Sequence, residues 1–464
     1  MSVTKAVAEF VVKTSPGDLP ADVVERARVH ILDGFAVILS GATEKGSRLL
    51  LAHLRRLRGR PEATVLGAGF RAPGQWAALA NGTSGHAMDY DDTQLTTSKA
   101  SVYGLLTHPT VPVLSAALAA GEIVKARGRD LLLAYVLGVE TACRVADAIH
   151  PRHYQAGFHS TATMGGLGAA MAVGKLLRLN EDSLLRALGL AASMGAGLRE
   201  NFGTMVKPFH AGRAAEAGFL AATLARSGFT AARNILEAKR GFFNAAGGGY
   251  DESKILGRPG NPYFFIDPGI SIKPYPSGSL SHPAQDVILD LARKYDLKPN
   301  QIEAIEVGTN MNVLNALIHN EPRTALEGKF SIPFCMAIGI LDRKAGIAQF
   351  VDRKVRDPKT VALMKRVRLV VDPELERLGY DLVRTRVSVR LKDGRLLERR
   401  ADAARGTPPK LFSFDDLGEK FRDAARLVLP KPRVERALAL IRDLATLRDL
   451  TPLFRTCAGT RRSS

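Results

Sequence analysis

Between Asn81 and His108 the chain gathers groups that can hold or move protons. The run Asn81-Gly82-Thr83-Ser84-Gly85-His86-Ala87-Met88-Asp89-Tyr90-Asp91-Asp92-Thr93 is followed, after a mixed segment, by Thr107-His108-Pro109-Thr110. Three carboxylates and two histidines therefore fall within 23 positions. If Ser84 to Asp92 is helical, Asp89 and Asp92 share a face, since residues three apart are neighbours. Like charges packed together need an offset: a cation, a substrate contact or a helix N-terminus.

Three further stretches place histidine or lysine beside glycine or proline at the expected ends of helices. They are Gly157-Phe158-His159-Ser160-Thr161, Asn201 to Arg213 with Lys207-Pro208 inside it, and Ile272 to Pro283 with Lys273-Pro274 and His282. Histidine exchanges a proton near neutral pH. Lysine supplies a positive charge for a carboxylate, or a base where burial lowers its pKa. Backbone N–H groups at a helix start attract anions, so His159 ahead of a helix from Thr161 and His282 ahead of Pro283 suit an acidic ligand. Taken singly, each also fits an ordinary capped or solvated side chain. Gly247-Gly248-Gly249 has neither the lysine-serine nor the preceding strand of a phosphate loop and reads as a flexible loop. Gly165 and Gly168 read as helix packing. No pair of histidines or cysteines has metal spacing, and Asp89-x-Asp91-Asp92 alone is insufficient for calcium. No metal site is expected.

Helices must position these groups. Leu19 to Phe35 opens with Pro20 and Asp22 and continues with helical apolar spacing. Ala63 to Gly67 is at most one short strand. A small-residue helix is expected from Pro73 to about Asn81, and others over Val111–Ala126, Asp130–Ile149, Thr161–Leu177 and Ala214–Ser227. Asn180 reads as the N-cap of another. After the breaker cluster Pro259-Gly260-Asn261-Pro262 the pattern changes. Strands are expected at Ile302–Val307, Val367–Val371 and Thr385–Leu391. The last turns at Lys392-Asp393-Gly394-Arg395 into a partner strand. Helices lie between them at Pro283–Tyr295, Ser331–Leu341 and Thr360–Arg366. From Ser413 the chain is helical again.

The reading is a mainly α protein: a large all-helical domain plus a smaller α+β lid domain. The boundaries are 1–265, 266–405, a helical return at 406–455, and a flexible tail at 456–464. At 464 residues the chain exceeds one ordinary core. It shows no bilayer-length apolar run and no signal-peptide pattern at its start. Three scattered cysteines suit a reducing cytoplasm. A net charge of +19 raises nucleic acid as a partner. The basic residues are dispersed, however, and aromatics make up only 6%, which is poor for stacking bases. A non-catalytic basic nucleic-acid-binding protein is thus the remote alternative, and attraction of a small anion fits the same charge.

Taken together, the motifs resemble the MmgE/PrpD family. They are Asn-Gly…His-x-x-Asp-Tyr-Asp-Asp-Thr…Thr-His-Pro, Gly-Phe-His before a Gly/Ala-rich helix, Gly-Thr-x-x-Lys-Pro-x-His-Ala-Gly-Arg-Ala-Ala, and Lys-Pro-Tyr-Pro. Lys329-Phe330-Ser331-Ile332-Pro333 fits as well. The resemblance spans about residues 5 to 445. It implies homodimers that need no metal or organic cofactor and act on small carboxylic acids as dehydratases, decarboxylases or epimerases. It implies catalytic roles for Asp89, His108, His159 and Lys207, and substrate binding by Thr93 and Lys273; His282, at its helix start, is the third expected substrate-binding residue. The cis-aconitate decarboxylase pattern carries a histidine five positions after the last lysine, where this chain has Gly278. That departure weighs against decarboxylation and leaves the substrate open. The expected reaction is dehydration of a di- or tricarboxylic acid through a carbanion- or enolate-like intermediate, as in 2-methylcitrate dehydratase. The alternative is epimerisation of an amino-dicarboxylate, as in iminodisuccinate epimerase.

Overall fold

The computed structural model describes residues 2–95, 105–408 and 410–459. The chain forms two compact units. One comprises Met1–Gln94, Leu105–Ile270 and Phe412–Ser464; the other comprises Leu95–Gly104 and Ser271–Leu411. The breaker cluster at Pro259–Pro262 thus lies inside the first unit, and the chain changes unit at Ile270–Ser271.

The first unit is built on helices Ala21–Gly41, Gly74–His86, Thr110–Ile123, Gly128–Ile149, Ser160–Leu176 and Val206–Arg226. Most of these have little amphipathic character because both faces are covered: every residue of Ser160–Leu176 is buried except Lys175. Small residues allow the backbones to meet. A Cβ at Gly82 would lie 2.8 Å from the Gly212 Cα, and one at Gly168 would lie 2.4 Å from the Gly138 carbonyl oxygen. The Gly165–Gly168 motif is therefore a packing surface. Asn180 caps Glu181–Met194 by accepting from the Ser183 N–H at 2.9 Å. The helix Phe414–Ala425 packs on Ala21–Gly41, where Lys420 Nζ lies 2.6 Å from Asp33 Oδ1.

Four expectations need correction. The large domain is not wholly helical: the short strand expected within Ala63 to Gly67, β1 (Ala63–Val65), pairs antiparallel with β2 (Phe70–Ala72). The Gly74 helix continues beyond Asn81 to His86, and Ser84 to Asp92 is not one helix. Val206–Arg226 begins two turns before Ala214, which places Lys207 and His210 on the helix. Thr456 and Cys457 belong to the helix Thr451–Cys457 and are buried, so the tail does not begin at 456. Residues 460–464 lie outside the described residues.

The second unit is a four-stranded sheet with helices against it. Strands β3 (Ile302–Thr309), β4 (Val367–Val371), β5 (Thr385–Leu391) and β6 (Leu396–Ala401) take the order β4-β3-β5-β6. The β3–β4 pair is parallel and the other two pairs are antiparallel. In β5, Val387, Val389 and Leu391 are buried while Arg390 is exposed, as period-two alternation requires. That face packs with Ile288 and Leu291 of His282–Lys294 and with Phe334 and Ile338 of Ile332–Leu341. Among the described residues, no helix is long and apolar enough to cross a membrane.

Candidate functional site

The helix Gly74–His86 ends at His86, and the chain reverses within three residues. Asp89 takes φ = 52°, a left-handed conformation that aspartate tolerates better than most residues. The carboxylates therefore gather beyond a helix C-terminus, where the dipole disfavours negative charge. The offset comes from cations and imidazoles instead. Lys207, buried on its own helix, donates to Asp89 Oδ1 at 2.6 Å and lies 2.9 Å from His86 Nε2. His86 Nδ1 lies 2.9 and 2.8 Å from the two Asp91 oxygens. An ammonium has only protons to offer, so His86 accepts through Nε2 and donates through Nδ1. Asp91, His86, Lys207 and Asp89 thus form one buried chain in which a neutral imidazole and an ammonium link two carboxylates.

After Thr93 the chain leaves at Gln94 and returns at Thr107, where the Gln94 N–H donates to the Thr107 carbonyl at 2.8 Å. This bridge sets Thr93 beside His108. His108 Nδ1 lies 2.7 Å from the Asp92 carbonyl oxygen and 2.9 Å from Thr93 Oγ1. A carbonyl can only accept, so Nδ1 carries the proton and Nε2 is the basic nitrogen of the neutral ring. The His108 ring centroid is 4.5 Å from that of His86 and 6.5 Å from that of His159.

His159 caps the start of Ser160–Leu176 and is only 1% exposed. Its Nδ1 lies 3.2 Å from His210 Nδ1, and its Nε2 has no hydrogen-bond partner among the described residues. Phe202 presents its ring edge-on at 5.0 Å. Burial, reinforced by the Lys207 charge and the neighbouring imidazoles, holds His159 well below the ordinary histidine range. His210 is lowered by burial and by Lys207. A buried, neutral imidazole with an unpartnered nitrogen is an arrangement suited to accepting a proton. His153 contrasts with it. Its Nδ1 meets the Ala246 carbonyl at 2.9 Å and its Nε2 meets Thr163 Oγ1 at 2.8 Å, so both nitrogens are structural.

Five of the expected site residues, Asp89, Thr93, His108, His159 and Lys207, thus converge in the helical unit. Lys273 and His282 belong to the α+β unit, both buried. There His282 Nε2 donates to the Ser277 carbonyl at 3.1 Å, which shapes the loop. At Gly278 a Cβ would come within 2.9 Å of Leu317 Cδ2 and 3.4 Å of Phe330 Cδ1.

The linear reading did not assign roles to His86, Asp91 or His210. His86 lay within the quoted motif, but its part depends on the chain reversal. His210 follows Lys207 by three on a helix whose start was placed too late. The expectation of no metal spacing also needs revision. His86, Asp91 and His108 offer ligand atoms within 4.8 Å of one another, a grouping produced by folding rather than by sequence spacing. Both Nδ1 atoms are engaged as donors, so an ion here would have to displace those protons or use Nε2.

With this geometry in place, family comparison is informative. The MmgE/PrpD N-terminal domain matches residues 5–254 and the MmgE/PrpD C-terminal domain matches residues 275–446. The chain belongs to the MmgE/PrpD family. It is 27% identical over 472 residues to the cis-aconitate decarboxylase of Mus musculus, covering 99% of this chain and 94% of that protein. It is 28% identical over 476 residues to that of Aspergillus terreus, covering 97% and 95%. To that of Homo sapiens it is 27% identical over 470 residues, covering 99% and 95%.

Proposed function

We propose that this protein is a cofactor-independent lyase that removes water from a small tricarboxylic acid of the 2-methylcitrate type. The observation that carries this reading is the pairing of His159 with His108. His159 is buried and held neutral, and its Nε2 has no hydrogen-bond partner among the described residues. His108 has its Nδ1 proton anchored on Asp92, with the Asp91 carboxylate 3.5 Å from that nitrogen. Two imidazoles in opposite electrostatic surroundings suit opposite roles. With its Nδ1 proton directed to His210, His159 takes the proton from the carbon next to a substrate carboxylate. His108, as the imidazolium that Asp91 balances, gives its Nε2 proton to the departing hydroxyl. The C–H electron pair becomes the new double bond, the C–O bond breaks, and water leaves.

Lys207 supplies fixed positive charge where enolate-like density develops, in surroundings from which water is excluded. Asp89 and Thr93 orient Lys207 and His108. Lys273 is assigned to a substrate carboxylate by family resemblance, and His282 to its neighbourhood. The reaction needs no electron transfer, and the reading makes no use of the His86–Asp91–His108 metal position.

Decarboxylation is the second reading, favoured by the named activity of the similar proteins from mouse, human and Aspergillus terreus. Against it stands Gly278, where the decarboxylase pattern has a histidine and where even a methyl group would press on Leu317.

The test is turnover of 2-methylcitrate, citrate, cis-aconitate and an amino-dicarboxylate in deuterated buffer, before and after dialysis against chelator. The expected result is an unsaturated tricarboxylate without carbon dioxide release, unchanged by the chelator. Carbon dioxide from cis-aconitate would transfer the assignment to the second reading. Solvent deuterium entering an amino-dicarboxylate with no net loss of water would make the protein an epimerase. No turnover of any of these would end the proposal.

A further inference from the structure

Asp92 differs from the two carboxylates beside it. Asp89 and Asp91 face Lys207 and His86, whereas Asp92, fully buried, faces away from that chain. Its Oδ2 lies 2.9 Å from His30 Nδ1, and its Oδ1 accepts from the Thr110 N–H at 3.3 Å. The Thr110 hydroxyl also donates to Asp92 Oδ2 and meets the Tyr135 hydroxyl at 2.5 Å. Thr110 is the first residue of Thr110–Ile123, so the Asp92 carboxylate sits at a helix N-terminus, where the dipole favours it. His30 comes from Ala21–Gly41, is 1% exposed, and is wedged edge-on against Phe265 at 5.3 Å. Two separate helices of the first unit therefore hold one side chain, and Tyr135 from a third meets the Thr110 hydroxyl that contacts it. The backbone of the same residue carries the carbonyl that receives the His108 Nδ1 proton at 2.7 Å.

From this we infer that His30 and Asp92 are positioning residues. The His30–Asp92–Thr110 network fixes the place of the Asp92 carbonyl, and that carbonyl fixes the tautomer and ring direction of His108. The reactive nitrogen of His108 is thereby set by a residue of the first long helix, 62 positions before the aspartate it contacts. The geometric inference stands on its own, and its kinetic consequence rests on the role proposed for His108. Asparagine at position 30 places an amide nitrogen about where the imidazole Nδ1 lies, whereas leucine fills the space without a donor.

Selective 15N-histidine labelling reads the His108 tautomer directly, with His108→Gln identifying its signal. The wild-type protein and His30→Asn are expected to show a single Nδ1–H form. His30→Leu is expected to show a mixture of tautomers and to lose about 10²-fold in kcat, the scale of a 1 Å misplacement, with KM little changed. Thr110→Val removes the second donor to Asp92 and gives an independent reading if His30→Leu does not fold. It should shift the tautomer in the same direction. A pure Nδ1–H His108 in folded His30→Leu or in Thr110→Val would overturn the inference. If the wild-type protein turns over no carboxylic acid while the tautomer still responds to His30, the proposed function fails and the positioning network stands.

Discussion

Two regions of this molecule place histidine, serine or threonine, and lysine beside proline, and they use these residues differently. In the α+β unit the hydrogen bonds seen around His282 among the described residues link near neighbours in the chain. Its Nε2 holds the Ser277 carbonyl five residues back. Gln285 Nε2 donates to the hydroxyls of Ser277 and Ser281, and Ser281 Oγ donates to the Gly278 carbonyl at 2.8 Å. These contacts shape a turn. In the helical unit Lys207 reaches Asp89 and His86 across 118 and 121 positions, and each partner is ionisable. Local bonds build a loop that would form for its own sake. Ionisable groups drawn together from distant helices, at a cost in desolvation, indicate a site assembled for something other than stability.

The comparison breaks most sharply at Lys207. Lys207→Met should abolish turnover and, by stranding Asp89 beside it, destabilise the protein by about 3–5 kcal/mol. Adding Asp89→Leu should restore much of the stability and none of the activity. Urea unfolding alongside turnover reads both. Recovery of activity in the double variant would mean that the pair is architectural.

A middle-sized contrast sets His159 against His282. His159→Gln is expected to lower kcat by about 10²–10⁴-fold, the range for general acid–base groups, with the fold retained. His282→Ala should instead cost about 1 kcal/mol, the worth of one hydrogen bond, with kcat preserved. A large KM increase in His282→Ala would place that histidine against substrate. Steady-state kinetics and thermal melts on the two variants decide.

The smallest effect is on acid stability. Burial holds His153, His159 and His210 below the ordinary imidazole value of 6.5. The unfolded chain therefore takes up protons near that pH that the folded chain does not. The stabilisation from neutral burial is complete above this range and is lost as pH falls. Asp33 acts in the opposite sense. Burial pushes it up from 3.8 to about 6 despite Lys420, so its contribution is present in acid and is lost as pH rises through about 6. Melting temperature should fall most steeply just below pH 6.5 and more gently further down. His159→Gln should flatten the upper part of that slope, and a slope identical to wild type would show that His159 is not buried neutral.

How much of this was legible beforehand follows from the range of each interaction. The strands at Val367–Val371 and Thr385–Leu391 could be read because period-two alternation is local, and the Asn180 cap because it acts over three residues. Thr93 and His108 could be nominated from their motif. The partner of Asp89 could not be read from spacing, because it lies 118 positions away on a helix whose first two turns contain Lys207-Pro208 and read as a loop. The reversal after His86 was hidden for a related reason. Alanine, methionine and aspartate at 87 to 89 continue a helical pattern, and the left-handed turn at Asp89 is imposed by its tertiary contacts. The role of His30 was invisible, since nothing on its own helix distinguishes a core histidine from a supporting one.

The bridge between Gln94 and Thr107 has a consequence for how this scaffold can vary. Because that bond joins a backbone N–H to a backbone carbonyl, the spacing of Thr93 and His108 does not depend on the side chains at positions 94 and 107. Side-chain replacement at either position leaves the bond in place, whereas proline at position 94 removes its donor.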